Sequence, residues 1–307
     1  MSETSSTSYR CGLVSIVGRP NVGKSTLLNC IVGEKVAIVS KVPQTTRNRI
    51  RGIYSDERGQ IIFVDTPGLV SGKDKLDYLL RKACLGTTDN ADCIIHLVDT
   101  QETIGREEEE LVKRLSEVKV PIILGLNKVD LKGKYIPDYI ALWERVKNKP
   151  INQMDSLTMV ALSGRDGINV DKLLDVLFEK LPEGEPLYPT DTISDIPQKI
   201  VIADIIREKL FYILRDEIPH SIAVVIESIK PKRRKTLHIQ VVILVERESQ
   251  KEIVIGKKGQ ILKTIGTQAR QELEELLESK VFLETYVKTQ KKWRDDLQLL
   301  QELGYDI

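Results

Sequence analysis

The sequence predicts an α/β domain with a mostly parallel sheet, followed by a smaller α+β domain. An apolar, strand-like segment at residues 13–17 leads into a G-x-x-x-x-G-K-S loop and then into apolar residues spaced for a helix. Further strand-like segments alternate with amphipathic helical patterns as far as residue 181. Beyond a stretch that contains Pro and Gly, the order of predicted elements becomes α-β-β-α-α-β.

These patterns divide the chain of 307 residues into four parts. Residues 1–10 are rich in Ser and Thr and predict a disordered tail. Residues 11–181 form the α/β domain, 182–196 the linker, and 197–307 the smaller domain with a C-terminal helix. Two domains is the number expected for a chain of this length.

The amino-acid composition restricts the classes of function. Lys and Arg number 46 and Asp and Glu 45, so any nucleic-acid site must come from local clustering of charge. The four cysteines form no C-x-x-C pair, which argues against structural zinc and favours reduced thiols. No apolar segment is long enough to span a membrane, and residues 1–10 lack the apolar core of a secretory signal. We therefore expect a cytoplasmic protein.

The loop at residues 18–26, GRPNVGKST, is typical of a phosphate-binding loop. Its glycines would let backbone N–H groups turn toward the phosphates, because no Cβ blocks the approach. Lys24 would reach the β- and γ-phosphates, and the Ser25 hydroxyl would ligate Mg²⁺. A chance glycine turn before a helix would explain the glycines but not the lysine and the serine. The predicted nucleotide contacts in this loop are Gly18, Asn21, Val22, Gly23, Lys24, Ser25 and Thr26.

Two further segments predict a magnesium site. Asp65 follows an apolar strand and would hold Mg²⁺ through water, and Gly68, three residues later, would donate its N–H to the γ-phosphate. In the polar segment 41–49 a threonine hydroxyl would complete the Mg²⁺ shell, and we favour Thr46 over Thr45. We expect the triphosphate to order this segment. The predicted metal ligands are therefore Ser25, Thr46 and Asp65, and the predicted catalytic residues are Lys24, Thr46 and Gly68.

Two positions bear on the rate of hydrolysis and on the ions required. Leu69 stands where GTPases of the Ras kind place a glutamine that orients the attacking water. Because leucine neither donates nor accepts a hydrogen bond, we expect slow intrinsic hydrolysis. Asn21 is a candidate ligand for a monovalent cation near the phosphates, and a loop-capping asparagine explains the residue equally well.

The tetrapeptide N-K-V-D at residues 127–130 predicts guanine as the bound base. The Asp130 carboxylate would accept hydrogen bonds from the N1–H and N2–H₂ of guanine, a pair of donors that adenine lacks. Asn127 would bridge the base and the phosphate loop, and the stem of Lys128 would lie along the ring. After the next strand, the backbone N–H groups of Ser163 and Gly164 would contact guanine O6.

The smaller domain contains G-x-x-G at residues 256–259, with two lysines in the middle, between two apolar helical segments. In KH modules such a loop clamps about four nucleotides of RNA backbone. The loop at residues 230–235 is basic as well. We predict RNA binding here, although a helix cap would explain Gly256 and solvated loop tips would explain the charges. The predicted RNA contacts are Ile255, Gly256, Lys257, Lys258, Gly259, Lys263, Arg233, Arg234 and Arg207.

Three predictions concern packing. His96 lies within an apolar strand and is predicted to be a core residue. The acidic run at residues 107–110 is predicted to face solvent on an amphipathic helix. Trp293, near the C-terminus, is predicted to be packed against protein.

Taken together, these motifs resemble those of the Era family of GTPases. The similarity covers nearly all residues after the first ten, and its specificity lies in the combination, since the nucleotide motifs alone occur in many GTPases. The matching segments are G-R-P-N-V-G-K-S-T at 18–26, Q-T-T-R at 44–47, D-T-P-G at 65–68, N-K-V-D at 127–130, I-I-R-E-K at 205–209, L-V-E-R-E at 244–248, V-I-G-K-K-G at 254–259 and L-G-Y at 303–305.

The resemblance implies a P-loop, Ras-like GTPase domain followed by a type II KH domain. It implies Mg²⁺-dependent hydrolysis of GTP to GDP and phosphate. It also implies binding near the 3′ end of small-subunit (16S-type) ribosomal RNA during assembly of the small ribosomal subunit. Family members are reported at the inner face of the cell membrane, so a peripheral membrane contact is a further expectation, and we expect a monomer. Two departures are Gly164, where an alanine often follows the serine, and the unusually basic loop at 230–235.

Two other functions would use part of the same sequence. A GTP-dependent RNA-modification factor would carry a catalytic cysteine or a pair of carboxylates in the second domain, and residues 196–307 contain no cysteine. A plain KH module with a vestigial nucleotide fold would not need Lys24, Ser25, Asp65 and Asp130 intact. A GTP-gated RNA-binding protein accounts for both sets of motifs.

Overall fold

The computed structural model describes residues 8–39, 50–65, 74–86, 90–214, 218–232 and 235–305. These residues fall into two compact units. The first comprises the described parts of Met1–Ala37, Thr46–Val70 and Leu80–Asp195. The second comprises those of Ile38–Thr45, Ser71–Leu79 and Ile196–Ile307.

The first unit is built on a six-stranded sheet with the order β2-β3-β1-β4-β5-β6. Only β2 is antiparallel to its neighbour, and the other pairs are parallel. The strands are β1 (Arg10–Val17), β2 (Ile50–Asp56), β3 (Gly59–Asp65), β4 (Cys93–Asp99), β5 (Ile122–Asn127) and β6 (Leu157–Ala161). The helices are α1 (Lys24–Val32), α2 (Lys75–Gly86), α3 (Arg106–Leu115), α4 (Ile136–Lys147) and α5 (Val170–Lys180), with α2 starting in the segment 71–79 of the second unit.

Burial explains why the central strands read as continuous apolar runs. Every residue of β3, β4 and β5 is buried, as expected for parallel strands with helices on both faces. The carboxyl ends of β1, β3, β4 and β5 lie at the same edge of the sheet because the strands run in parallel. The predicted nucleotide contacts that follow these strands therefore lie at this edge.

The predicted linker at 182–196 packs on the first unit rather than standing apart from it. The Gln60 side-chain oxygen accepts hydrogen bonds from the backbone N–H groups of Leu187 (2.8 Å) and Tyr188 (2.9 Å). Arg51 of β2 forms an ion pair with Asp195 at 2.8 Å. The Pro and Gly content indicated irregular backbone, but it carried no information on these contacts with β2 and β3. At the other end of the domain, β1 already begins at Arg10, inside the predicted tail.

A buried polar cluster links β4 to two helices. His96 and Glu108 are both fully buried, with 2.6 Å between Nε2 and Oε1. The Trp143 indole N–H donates to His96 Nδ1 at 3.2 Å, so Nδ1 is an acceptor and Nε2 is the nitrogen that donates to Glu108. The prediction that His96 is a core residue is confirmed. The solvent-facing prediction is wrong for Glu108, because it lies three and four residues before Leu111 and Val112 on the buried face of α3.

The second unit has the predicted element order α-β-β-α-α-β. Its elements are α6 (Gln198–Ile213), β7 (Ala223–Lys232), β8 (Thr236–Val245), α7 (Glu248–Ile255), α8 (Gln260–Leu276), β9 (Lys280–Thr289) and α9 (Leu297–Glu302). The sheet has the order β7-β8-β9, with β7 antiparallel and β9 parallel to β8. Apolar residues from α6 and α8 pack on one face of this sheet and form the core. The architecture is that of a type II KH domain.

Trp293 confirms the prediction of a packed side chain. It is fully buried, and its indole N–H donates to the Ser221 carbonyl at 2.8 Å. Across the described ranges, no helix combines the length and the apolar character needed to cross a membrane.

Candidate functional site

The phosphate loop between β1 and α1 depends on two glycines. Gly18 (φ 154°) and Gly23 (φ 101°) both have positive φ, and Gly23 lies immediately before α1. A Cβ on Gly18 would lie 2.2 Å from the Leu97 carbonyl oxygen, and one on Gly23 would lie 2.5 Å from Asn127 Nδ2. Both contacts are too short for a side chain. The backbone therefore forms a close-packed cradle at the N-terminus of α1, where N–H groups and the helix dipole favour an anion.

Lys24 occupies the middle of this cradle. The side chain is only 7% exposed, and Nζ donates to the carbonyl oxygens of Gly18 (3.0 Å) and Arg19 (2.9 Å). A buried ammonium group requires such partners. Its position within the loop fits the predicted role of binding phosphate oxygens.

Ser25 and Asp65 meet at the carboxyl end of β3. The Ser25 hydroxyl donates to Asp65 Oδ2 at 2.7 Å, and Asp65 is fully buried. A hydroxyl and a carboxylate are oxygen donors of the kind that Mg²⁺ takes, so this pair fits the predicted metal site. The third predicted metal ligand, Thr46, and the predicted γ-phosphate contact, Gly68, lie outside the described residues.

Asn127 ties the base-recognition segment to the phosphate loop. Its Nδ2 donates to the Val22 carbonyl at 2.7 Å, and its Oδ1 accepts from the Gly164 N–H at 2.9 Å. With 3% exposure, the amide serves as an internal brace. Sequence reasoning anticipated the bridge to the phosphate loop but not the contact with Gly164.

Lys128 also reaches the phosphate loop. Its Nζ donates to the Asn21 carbonyl at 3.0 Å and forms an ion pair with Asp99 at the end of β4. Asn21 has a left-handed backbone, with φ 64°. The contact fixes the loop beside Asn21, and the monovalent cation there stays a prediction.

Asp130 lies in a short 3₁₀ turn after β5, beside the loop that begins at Ser163. Arg165 donates to Asp130 Oδ2 at 2.9 Å and also contacts Asp166. Ser163 is buried, and a Cβ on Gly164 would lie 3.0 Å from Leu27 Cα, so glycine lets this loop lie close to α1. Arg165 was missed by sequence reasoning, because one arginine in a polar loop gives no pattern.

The G-x-x-G loop joins α7 to α8 and has the backbone that its glycines predict. Gly256 has φ 71° and Gly259 φ 75°, and a Cβ on Gly256 would lie 2.6 Å from Ile261 Cγ1. Lys257 and Lys258 are exposed, and Ile255 is partly buried. The lysines are therefore accessible to a ligand. The predicted contacts Arg233 and Arg234 lie outside the described residues.

A groove of about 380 Å³ runs from this loop along α8 and β9. It contains Lys263, one of the predicted RNA contacts. The other lining residues are Gly259, Leu262, Gly266, Thr267, Arg270, Leu283 and Thr285. Sequence reasoning missed Arg270 and Thr285, because only the packing of β9 against α8 brings them together in this groove.

Arg207 requires a correction. It was predicted to contact RNA, but it is only 5% exposed and forms an ion pair with Asp204 at 3.0 Å within α6. Its guanidinium also lies 5.9 Å from the centre of the Phe211 ring. The residue is therefore withdrawn from the surface, and we no longer assign it to RNA. Basic character alone did not distinguish a paired core arginine from a surface one.

Comparison with known proteins identifies the family. The family described as "50S ribosome-binding GTPase" matches residues 13–128, and the KH domain family matches residues 217–294. The GTPase Era of Carboxydothermus hydrogenoformans is 45% identical over 303 residues, covering 97% of this chain and 98% of the relative. The chain belongs to the Era family of GTPases. A second Era-family relative, from Halothermothrix orenii, is 42% identical over 299 residues, covering 97% of this chain and 99% of the relative.

Two solved Era structures have the same fold as this Era-family chain. Aquifex aeolicus Era, as a point variant bound to GDP and AlF₄⁻, superimposes with a TM-score of 0.89 at 39% identity. Era in complex with MgGDPNP and nucleotides 1506–1542 of 16S ribosomal RNA gives a TM-score of 0.90 at 39% identity. Each comparison covers 97% of this chain and 100% of the other. As a member of the family, the protein is a GTP-hydrolysing enzyme that uses guanine nucleotides and Mg²⁺.

Proposed function

We propose that this GTPase binds small-subunit ribosomal RNA near its 3′ end and acts in assembly of the small ribosomal subunit. In this proposal, bound GTP increases the affinity of the protein for the RNA. The observation that carries the proposal is the exposed lysine pair of a G-x-x-G loop on the same chain as a complete phosphate loop. The similarity to Era in complex with MgGDPNP and 16S ribosomal RNA nucleotides supports the choice of RNA.

The nucleotide site supplies roles for particular side chains. Lys24 would exchange its carbonyl partners for β- and γ-phosphate oxygens, and Ser25 with Asp65 would hold Mg²⁺, which neutralises charge on the phosphates. Asp130 would bind guanine, while Asn127 keeps the base and phosphate segments in register. Because Leu69 provides no group to orient water, we expect slow hydrolysis without a stimulating partner.

A contact within the second unit supports the control by GTP. The Arg294 side chain donates to Asp74 Oδ2 at 2.5 Å and to Asp77 Oδ1 at 3.0 Å. Asp74 follows the predicted γ-phosphate contact, Gly68, by only six residues. A change at Gly68 on hydrolysis would therefore reach the KH unit through a short stretch of chain.

The first experiment compares RNA affinity in different nucleotide states. The probe is RNA corresponding to nucleotides 1506–1542 of 16S ribosomal RNA, measured with GDPNP and with GDP by fluorescence anisotropy. We expect tighter binding with GDPNP. Equal affinities in the two states would refute GTP control while leaving RNA binding itself intact.

The second experiment tests where the RNA binds. Lys257→Glu with Lys258→Glu should weaken binding more than tenfold and flatten its salt dependence, because about two phosphate contacts are lost. GTP hydrolysis without RNA should be unchanged. Lys119→Glu with Lys149→Glu is the matched control, since both lysines are exposed and lie in the first unit. If the control weakened RNA binding equally, general charge rather than the loop would be responsible.

Three further expectations belong to the same proposal. A cytoplasmic monomer would elute at one chain mass in light-scattering chromatography with GDP or GDPNP bound. A peripheral membrane contact would appear as co-sedimentation with anionic vesicles at physiological salt. A monovalent-cation site beside Asn21 would make hydrolysis faster in potassium than in sodium, and Asn21→Ala would remove the difference.

A further inference from the structure

The KH sheet has a second face, opposite the one that packs against α6 and α8. Along β8 and β9, core residues such as Ile239, Val241 and Val281 alternate with residues directed to this other face. We call its exposed end the open sheet patch. It is formed by Lys230, Lys232, His238, Phe282, Glu284 and Tyr286.

Contacts among its own side chains hold the open sheet patch in shape. The rings of His238 and Phe282 are 5.2 Å apart, and Lys232 Nζ lies 4.7 Å from the centre of the Phe282 ring. Glu284 accepts hydrogen bonds from the Tyr286 hydroxyl (2.5 Å) and from His238 (2.8 Å). These bonds, with a third from Gln240, lower the pKa of Glu284 to about 2. The carboxylate therefore stays ionised and keeps the two rings oriented.

The chemistry of this patch favours an unpaired stretch of RNA. Phe282 is 52% exposed and Tyr286 45% exposed, although both lie in a regular strand. Lys230 and Lys232 on β7 are exposed beside them. Flat aromatic rings flanked by lysines suit nucleic acid, because bases stack on the rings while phosphates pair with the cations. The Glu284 carboxylate can accept hydrogen bonds from base amino groups.

The open sheet patch lies on the opposite face of β9 from the groove beside the G-x-x-G loop. Leu283 and Thr285 of β9 line that groove, and the residues that alternate with them are Phe282, Glu284 and Tyr286. Since β9 is an edge strand of the sheet, no further strand among the described residues covers its outer side. An RNA strand leaving the groove therefore reaches the patch by passing over one strand.

We infer that the open sheet patch is a second RNA-binding surface, which stacks one or two bases of the single-stranded segment that flanks the nucleotides held by the G-x-x-G loop. The inference rests on the proposed function, because it requires the G-x-x-G groove to hold RNA. It differs from that function in assigning contacts to a face of the sheet that the G-x-x-G loop does not reach.

The test uses RNAs of different length and variants of one ring. The RNA of nucleotides 1506–1542 is shortened from each end to define the shortest form that still depends on Lys257 and Lys258. Phe282→Ala should weaken the full-length RNA about five- to tenfold and the shortest RNA less than twofold. Phe282→Trp should restore binding, and Phe282→Leu should not, because leucine keeps apolar bulk without an aromatic face. Leu276→Ala, on an exposed residue of α8, is the control.

The outcomes separate this inference from the proposed function. If Lys257→Glu with Lys258→Glu has no effect on any RNA, the proposed function fails first. If that variant weakens binding while Phe282→Ala binds the full-length RNA as the parent does, only the second surface is refuted. Restoration by Phe282→Leu would also overturn it, since apolar bulk without an aromatic face would then be enough for RNA binding. Because Phe282 is half exposed, each variant should melt within a few degrees of the parent, which circular dichroism verifies.

Discussion

Replacing Asn127 by alanine should weaken nucleotide binding, because the base-recognition segment would no longer be tied to the phosphate loop. The amide makes two buried hydrogen bonds, to the Val22 carbonyl and from the Gly164 N–H. Without it, both backbone groups lose their partner, at a cost of about 1–3 kcal/mol each. Partial access of water reduces the sum, and we expect a loss of about 3 kcal/mol, equivalent to about 100-fold in nucleotide affinity.

The assay is titration of fluorescent GDP against the variant in Mg²⁺. The matched control is Thr100→Val, which removes the hydrogen bond from the Thr100 hydroxyl to the Asn127 carbonyl at 2.8 Å and a longer one, 3.3 Å, that this hydroxyl accepts from Gln101 Nε2, and leaves the amide brace in place. The control should lose less than about fivefold, the value of one neutral hydrogen bond. Similar affinities for Asn127→Ala and Thr100→Val would refute the view that the amide holds the base and phosphate segments together.

Three other predictions concern recognition, stability and reactivity. Asp130→Asn should shift preference from GTP toward xanthosine triphosphate, measured by competition; unchanged use of GTP would contradict the assigned base contact. Glu108→Ala should reduce the free energy of unfolding, measured by urea titration, by about 2–4 kcal/mol, because His96 loses its hydrogen-bond acceptor in the core. The control Glu107→Ala, at an exposed residue, should reduce it by less than about 0.5 kcal/mol. Burial raises the pKa of Cys93 to about 12, so its thiol stays protonated at neutral pH. Iodoacetamide should therefore label Cys93 only in denaturant, as measured by peptide mass spectrometry. Labelling in the folded protein would contradict this burial.

The sequence predicted the parts of the site that local patterns encode. The phosphate loop, Asp65 after β3 and the N-K-V-D segment after β5 each follow an apolar strand, and parallel pairing brings their strand ends to one edge. The conformation of the two glycines of G-x-x-G was also predictable from the sequence, and both adopt positive φ. Such signals depend on a few neighbouring residues, so they survive without knowledge of tertiary packing.

The burial and pairing of charged residues were where prediction failed. Arg207 and Glu108 carry charges that suggested solvent, yet both are buried, Arg207 beside Asp204 and Glu108 beside His96. The contacts of Arg165 with Asp130 and of Gln60 with the linker join segments far apart in the chain. Whether a charged residue is buried or exposed depends on tertiary packing, which the adjacent sequence does not specify.

The ammonium group of Lys24 is largely shielded from water in the folded protein, where it donates hydrogen bonds to two carbonyl oxygens of its own loop. The free-energy cost of removing water from this group is therefore incurred when the protein folds. For an exposed lysine, the same cost would be incurred only when the ligand binds. A phosphate that replaces those carbonyls gains a stronger, charge-assisted bond at a group prepared in advance. Occupancy by GDP or GTP should consequently protect the β1–α1 region from heat and proteases.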